Sequence, residues 1–366
     1  MNTGALILTI IKAPQPEAIE GKPDLVYETS AKRKEIWHSI AHEYSKKHDS
    51  SNEEDTFYST SNTLSAKNII YFGSPGTGKS NTVDELTRGQ HVRKITFHPE
   101  YDYHSFVGSY KPSMEGDNII YKFVPQVFIK IYVDAWKNSL EHYFLQIEEI
   151  NRGNCAEIFG DLFQLLDRDS DGSSKYEVDA SEELVTYLTN ELDESSEGIK
   201  DEKMKLPSNL SIIATMNTSD QSLFPMDSAF KRRWDWEYIQ IDYNCTISNF
   251  TIVLSSGNSY EWLKFLKEAN RFIFEITGSP DKQIGNWFVN ATSTDNIIDE
   301  KTFINKVLFY LWNDVFKDED ESLFNIDGKT RTYEDFFTNN GTSTLIVKML
   351  EENLKLVNTA EANEVE

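Results

Sequence analysis

Cysteine is scarce in this chain, whose 366 residues include only Cys155 and Cys245. Two cysteines cannot build a disulfide framework, and they are too few to suggest a structural zinc site. Because this usage is typical of a reducing compartment, we expect a cytoplasmic protein.

Basic residues are also few. Lysine and arginine number 36 against 60 aspartates and glutamates, which gives a formal net charge of −24. Such a charge repels nucleic acid at long range. We therefore expect any DNA contact to use a local basic patch or to belong to a partner protein. The simpler interpretation is that the acidic surface keeps the protein soluble.

Apolar runs are short. The run at residues 5–11 cannot span a bilayer and lacks a basic leader, so we interpret it as a strand and expect no membrane segment. With 39% hydrophobic and 13% aromatic residues, the chain still has enough apolar side chains for a folded globular protein.

The first 65 residues are interpreted as a short N-terminal segment and linker. A β-like run at residues 6–11 precedes a helical pattern at 31–47 and a polar stretch at 48–65.

A different pattern begins at Asn68, where short apolar runs alternate with helical periodicity. This alternation predicts βα units and a parallel five-stranded sheet between helices, an α/β fold over residues 66–245. The predicted strands are residues 68–73, 93–97, 143–149, 210–217 and 236–241.

Two further regions complete the predicted organisation. Residues 167–205 are strongly acidic and are expected to form a surface insertion rather than core. Residues 246–366 are expected to form a small helical domain with an acidic C-terminal tail, because helical spacing recurs at 260–276, 301–316 and 343–356.

Residues 73–80, Gly-Ser-Pro-Gly-Thr-Gly-Lys-Ser, match the P-loop pattern between a predicted strand and a predicted helix. Glycines let backbone N–H groups converge on phosphate, the lysine reaches the β- and γ-phosphates, and the serine hydroxyl is a ligand of Mg²⁺. The residues predicted to bind ATP or GTP are Gly73, Ser74, Pro75, Gly76, Thr77, Gly78, Lys79, Ser80 and Asn81.

Two acids end the predicted strand 143–149. We expect Glu148 to hold Mg²⁺ through water and Glu149 to polarise the attacking water. The usual first acid is aspartate, so Glu148 is one methylene longer. Strand-terminal acids that simply face solvent are the alternative.

Two weaker motifs follow. Asn217 ends the strand 210–217 and is a candidate sensor of the γ-phosphate, although asparagine after a strand is commonly a turn former. Lys231-Arg232-Arg233 closes a predicted short helix, where cations ordinarily complement the helix dipole. In a ring-shaped motor, an arginine there reaches the neighbour's γ-phosphate.

Together these motifs resemble the McrB-type branch of the AAA+ family, within the dynein-related AAA domains. McrB-type proteins are motor subunits of restriction systems specific for 5-methylcytosine. The likeness is carried by residues 73–80, 96–103, 106–108, 111–112, 148–154, 158–162, 216–220, 226–233 and 283–288, the last of which looks like the family's lid motif.

The resemblance implies hexameric rings with nucleotide between neighbouring subunits. It implies that Arg232 and Arg233 are arginine-finger or sensor residues, that Arg152 acts across the interface, and that Asn151 lies beside the catalytic water. It also implies a McrC-like nuclease partner whose DNA translocation this chain drives by hydrolysis, without being a nuclease itself.

The chain departs from the family pattern at Gln221, where an arginine is usual. The guanine-reading Asn-Lys-x-Asp motif is absent, because Asn305-Lys306-Val307-Leu308 lacks the acid, and this favours ATP over GTP. McrB-type proteins resembling this chain carry an N-terminal domain that flips the modified base. We expect the segment before Asn68 to be too short and too acidic for that domain, and target recognition to lie elsewhere.

Two other features have structural alternatives. Residues 167–172 imitate the start of an EF-hand loop, but position twelve is Val178, so we interpret them as a polar turn. The aromatic residues between Phe97 and Tyr110 form either a nucleic-acid stacking surface or, as we prefer, a structural cluster.

Two other functions stay open on the sequence alone. One is a MoxR- or dynein-like AAA+ ATPase that remodels a protein client. The other is a nucleotide-switched binding module with little turnover, which equal turnover of the protein and its Glu149→Gln variant would indicate.

Overall fold

The structure, a computed structural model, describes residues 65–219, 224–291, 296–337 and 342–362. The predicted N-terminal strand, helix and linker, and the departure at Gln221, lie outside these residues.

The central element is a five-stranded sheet in which every pairing is parallel, with strand order β2-β5-β8-β1-β9. The predicted parallel five-stranded sheet is therefore confirmed, and the strands differ from the prediction only at their ends. They are β1 (Asn68–Gly73), β2 (His91–Thr96), β5 (Tyr143–Glu148), β8 (Leu210–Asn217) and β9 (Asp235–Tyr238).

Within the described residues, the helices that accompany the sheet are α1 (Lys79–Leu86), α2 (Tyr103–Phe106), α3 (Val127–Lys137), α4 (Cys155–Phe159), α5 (Glu182–Leu192) and α6 (Ser228–Lys231). Helix α1 packs on β1 and β8, and α3 packs on β2 and β5. Strand β8 is buried from Leu210 to Thr215, as expected for a central parallel strand covered on both faces.

An antiparallel ribbon that the sequence analysis did not predict follows α2. It consists of β3 (Gly108–Glu115) and β4 (Asn118–Pro125), joined by a tight turn. Its side chains Tyr110, Met114, Ile119 and Tyr121 are exposed. Apolar side chains recur at every second residue of these strands, but the polar side chains among them made this period hard to recognise in the sequence.

The acidic insertion is more than a surface excursion, and that part of the prediction is wrong. It places five apolar side chains in the core that also covers the sheet: Val178, Leu184, Leu188, Ile199 and Met204. Helix α5 packs against α3, and two short strands, β6 (Val178–Asp179) and β7 (Lys203–Met204), close the excursion. The prediction relied on the acidic composition of the segment. That composition comes from residues at the outer positions, whereas one side of α5 is apolar and buried.

The aromatic cluster is largely structural. Phe97 and Phe106 are fully buried and pack edge to face with ring centroids 6.0 Å apart. Neither ring is accessible for stacking on a base, so the structural interpretation holds for both.

A second hydrophobic cluster, drawn from residues 250–356, forms the core of the C-terminal region. We call this region, residues 246–362, the lid. Its helices are α7 (Trp262–Thr277), α8 (Glu300–Thr302), which continues with π-type turns at Phe303–Leu308 and Leu311–Val315, α9 (Thr342–Lys348), which continues with Met349–Asn353, and α10 (Thr359–Ala362).

Besides these helices, the lid contains short strands. Three form a small mixed sheet, β10 (Thr251–Val253), β11 (Ser259–Glu261) and β12 (Ile297–Asp299), and two form a hairpin, β13 (Asn325–Ile326) and β14 (Lys329–Thr330). Strands of two or three residues are too short to give a recognisable period in a sequence. Among the described residues, no helix has the length and apolar character needed to cross a membrane.

Candidate nucleotide-binding site

The P-loop connects β1, which ends at Gly73, to α1, which begins at Lys79. Gly76 and Gly78 have φ values of +78° and +89°, in the left-handed region that favours glycine. Gly78 is also the residue before the first turn of α1. The glycines therefore allow the tight turn that directs the loop back toward the helix.

Lys79 is buried beneath this loop, with 7% of its surface exposed. Its ammonium donates to the carbonyl oxygens of Gly73 at 3.1 Å and Ser74 at 2.9 Å. The lysine charge is thus held inside the curve of the loop, where a phosphate group would be gripped.

Three strand ends meet at the loop. Strand β8 lies between β1 and β5, and the register pairs Gly73 with Asn217 and Ile147 with Ala214. Because carboxyl ends of parallel strands share one edge of a sheet, the acids after β5 and the polar end of β8 lie beside the P-loop. The structure therefore places these sequence motifs together at one edge of the sheet.

Glu148 is held through both carboxylate oxygens. Oε2 accepts hydrogen bonds from Ser80 and Thr215, each at 2.7 Å. Oε1 lies 3.0 Å from the ammonium of Lys94 and accepts from Gln146 at 3.1 Å. The carboxylate is therefore fixed in orientation between α1, β2 and β8.

These contacts keep Glu148 charged. Burial by itself would raise its pKa, but hydrogen bonds from Thr215, Ser80 and Lys94, together with the Lys94 charge, outweigh burial, so the pKa lies below its ordinary value.

Glu149 begins the turn after β5 in a left-handed conformation, with φ +54° and ψ +48°. Its Oε1 accepts a hydrogen bond from the Asn217 amide at 2.7 Å, and its Oε2 lies 3.4 Å from Nε of Arg152. Its backbone N–H donates to the Thr215 hydroxyl at 3.3 Å. The two adjacent carboxylates therefore have different partners, while the Thr215 hydroxyl donates to Glu148 and accepts from the backbone N–H of Glu149.

Asn151 supports the same edge from the turn that follows. Its side-chain amide donates to the backbone carbonyl oxygen of Asn217 at 2.7 Å. Its backbone carbonyl oxygen accepts from the backbone N–H of Phe224 at 2.9 Å. The residue is buried. In this structure Asn151 holds the end of β8 in place.

The donor set beside the loop fits magnesium. Mg²⁺ prefers oxygen ligands and often uses one or two protein oxygens together with phosphate oxygens and water. The Ser80 hydroxyl and the Glu148 carboxylate supply such oxygens, 2.7 Å apart.

The two predicted arginines have different environments. The guanidinium of Arg233 is 8% exposed, pairs with Asp167 at 2.8 Å and lies over the Phe163 ring at 3.9 Å. It also donates to the Ala229 carbonyl oxygen at 2.7 Å. This arrangement does not support an arginine-finger role for Arg233, because its donors are used within the subunit. Arg232 is exposed.

Sequence reasoning missed three residues of the site, Lys94, Gln146 and Thr215. All three bond to Glu148. Alternation along a strand was a usable signal, because Gln146 shares a face with Glu148 and Thr215 shares one with Asn217. Lys94 could not be found this way, since its contact depends on the register between β2 and β5, which pairs it with Gln146.

Comparison with known proteins indicates the family to which the chain belongs. Residues 68–234 match the family model of the AAA domain, dynein-related subfamily. The chain is 36% identical over 285 residues to the type II restriction enzyme BsuMI component YdiS of Bacillus subtilis, a match that covers 69% of this chain and 80% of that protein.

A second relative is the type IV methyl-directed restriction enzyme EcoKMcrB subunit of Escherichia coli. It is 32% identical over 181 residues, covering 46% of this chain and 34% of the relative, so the chain spans about a third of that protein. On the P-loop, the paired acids and these relatives, the chain belongs to the McrB-type AAA+ ATPases of the dynein-related subfamily.

Proposed function

We propose that this chain hydrolyses a nucleoside triphosphate, with ATP preferred over GTP, as the motor subunit of a McrB-like restriction complex. The observation that carries the proposal is the meeting of the buried Lys79 loop with Glu148 and Glu149 at one edge of a parallel sheet.

The residues divide the work of binding and hydrolysis. Loop N–H groups and Lys79 bind the phosphates. Ser80 and Glu148 would hold Mg²⁺, which neutralises phosphate charge when bound. Glu149 accepts a proton from the attacking water as general base. Asn217 orients Glu149 through its 2.7 Å hydrogen bond.

The subunit would complete its site with a neighbour. Arg232 is exposed at the end of α6, and its neighbour Arg233 is held internally. We propose a hexameric ring in which Arg232 reaches the nucleotide of the adjacent subunit, while Arg152 and Asn151 act close to Glu149. Arginine fingers raise turnover by roughly 10³- to 10⁵-fold in related phosphoryl-transfer enzymes.

The names of both relatives describe restriction-enzyme components. We propose that this chain works beside a nuclease partner of the McrC type, is not itself a nuclease, and reaches DNA through the complex in the cytoplasm. The net charge of −24 supports this division, because a strongly acidic chain is poorly suited to holding DNA alone.

Turnover of ATP and GTP, with and without the candidate nuclease, tests the proposal. We expect Mg²⁺-dependent hydrolysis that Lys79→Ala abolishes by removing nucleotide binding, measured by titration with a fluorescent ATP analogue. Unchanged affinity in Lys79→Ala would refute the P-loop assignment. No response of turnover or DNA cleavage to mixing the two proteins would refute the restriction role and leave the ATPase assignment standing.

A further inference from the structure

The lid makes direct backbone contact with the P-loop through residues 283–288. The N–H of Gly285 donates to the carbonyl oxygen of Pro75 at 2.8 Å, and the N–H of Trp287 donates to that of Gly76 at 2.7 Å. In the opposite direction, the Ser74 hydroxyl donates to the carbonyl oxygen of Pro280 at 3.0 Å.

The contact leaves no space for side chains. A Cβ on Gly285 would lie 2.2 Å from the carbonyl carbon of Gly76 and 2.3 Å from the nitrogen of Thr77. A Cβ on Gly76 would lie 2.5 Å from the nitrogen of Phe288. Gly285 does not have a left-handed φ, so its backbone would accept alanine and only the missing space requires glycine there.

Buried asparagines fix the lid segment on both sides of Gly285. The Asn270 side chain, fully buried on α7, accepts from the N–H of Ile284 at 2.7 Å and donates to its carbonyl oxygen at 2.8 Å. The Asn286 amide bonds the backbone of Asp242 in both directions, at 2.5 and 2.9 Å. The segment therefore meets the P-loop as a supported surface rather than as a loose loop.

Peptide geometry links this contact to phosphate binding. In a trans peptide the carbonyl oxygen and the next N–H point in opposite directions, and the described residues contain no cis peptide. Holding the Pro75 and Gly76 carbonyls toward the lid directs the N–H groups of Gly76 and Thr77 away from it. Such loop N–H groups are the ones that P-loops use to bind phosphate.

We propose that residues 283–288 preorganise the P-loop, with Gly285 as the positioning residue, so that nucleotide binding and lid docking stabilise each other. The inference rests on the proposed nucleotide binding. Coupling of this kind is reciprocal: bound nucleotide favours the docked lid segment by the same factor by which docking raises the nucleotide affinity.

The test compares Gly285→Ala with Gly198→Ala in the full chain. Neither glycine has a left-handed φ, and a Cβ at Gly198 meets side chains of Leu192 and Trp136 instead of P-loop backbone. We expect Gly285→Ala to weaken binding of the fluorescent ATP analogue with Mg²⁺ at least about tenfold, within the usual range of coupling factors. Gly198→Ala is expected to keep wild-type affinity, and thermal unfolding of both variants reports any loss of folding.

Two outcomes separate the two proposals. If the wild type binds nucleotide and Gly285→Ala binds equally well, the positioning role is wrong. If the wild type binds none, the proposed function itself fails.

Amide hydrogen exchange on the wild type tests the contact without any variant, so a Gly285→Ala chain that does not fold leaves the inference open to refutation. The amides of Gly285 and Trp287 are expected to exchange slowly, and more slowly still with nucleotide. Exchange as fast as in an open loop, or no response to nucleotide, would overturn the inference.

Discussion

The two edges of the central sheet both carry buried charges, but they use them differently. At the amino edge, Arg168 donates to Asn68 and to the Leu210 carbonyl oxygen, and burial lowers its pKa to about 9. Arg233 and Asp167 pair with each other there. At the carboxyl edge, the charged groups instead surround the P-loop. The charges at the amino edge pair within the fold, whereas those at the carboxyl edge also surround the loop at which we propose that nucleotide binds.

Substitution of Arg232 is expected to have the largest effect among the tests of this comparison. Arg232→Ala is expected to lower turnover in the assembled ring at least about 10³-fold while leaving nucleotide affinity intact. Turnover above and below the assembly concentration checks it, with Lys231→Ala, an exposed cation beside it, as the matched control. Wild-type turnover in Arg232→Ala would remove this residue from the site.

Glu149→Gln tests the carboxyl edge directly. Losing the general base should lower turnover about 10²- to 10³-fold, while the amide keeps the shape that Asn217 contacts. Single-turnover hydrolysis and nucleotide binding measured on the same preparation separate chemistry from affinity. Equal turnover would support the alternative of a nucleotide-switched module.

Arg233→Ala is expected to act on stability, because it leaves Asp167 without its partner at a mostly buried position. Removing one member of such a pair costs about 3 kcal/mol of unfolding free energy. Urea unfolding measures it, and Arg232→Ala should stay within about 0.5 kcal/mol of the wild type. A stable Arg233→Ala protein with lost ring turnover would reverse our assignment of the two arginines.

Thr215→Val has the smallest expected effect. It keeps the buried volume but removes one donor to Glu148 and the acceptor of the Glu149 N–H, so turnover should fall at least about tenfold, in line with about 1.5–3 kcal/mol for a hydrogen bond to a charged group. The control is Thr87→Val, because the Thr87 hydroxyl donates to the Val83 carbonyl oxygen at the end of α1. Equal losses in both variants would show a general packing effect.

Much of the site could be predicted because its motifs are local in sequence. The P-loop spacing and the acids after an apolar strand each identify their strand end, and parallel strands bring those ends together. Lys94 was not predictable in the same way, since it reaches Glu148 only through strand register. The ion pair between Arg233 and Asp167 joins residues 66 positions apart, so no local pattern distinguished it from a finger motif.

The lid contact was beyond sequence reasoning for the same reason. Residues 283–288 were identified as a motif, but nothing local showed that Gly285 lies against Gly76. Gly285 is explained only when the two backbones are seen together.

The left-handed backbone of Glu149 carries a cost for the whole molecule. Most residues with a Cβ are less stable in this conformation by roughly 1–2 kcal/mol, whereas glycine, and asparagine through local hydrogen bonds, adopt it more readily. Neither has a carboxylate that could accept a proton from water. The protein therefore keeps one of its left-handed non-glycine residues at the position where we propose that an acid acts as general base, and part of its folding stability is given up for that carboxylate.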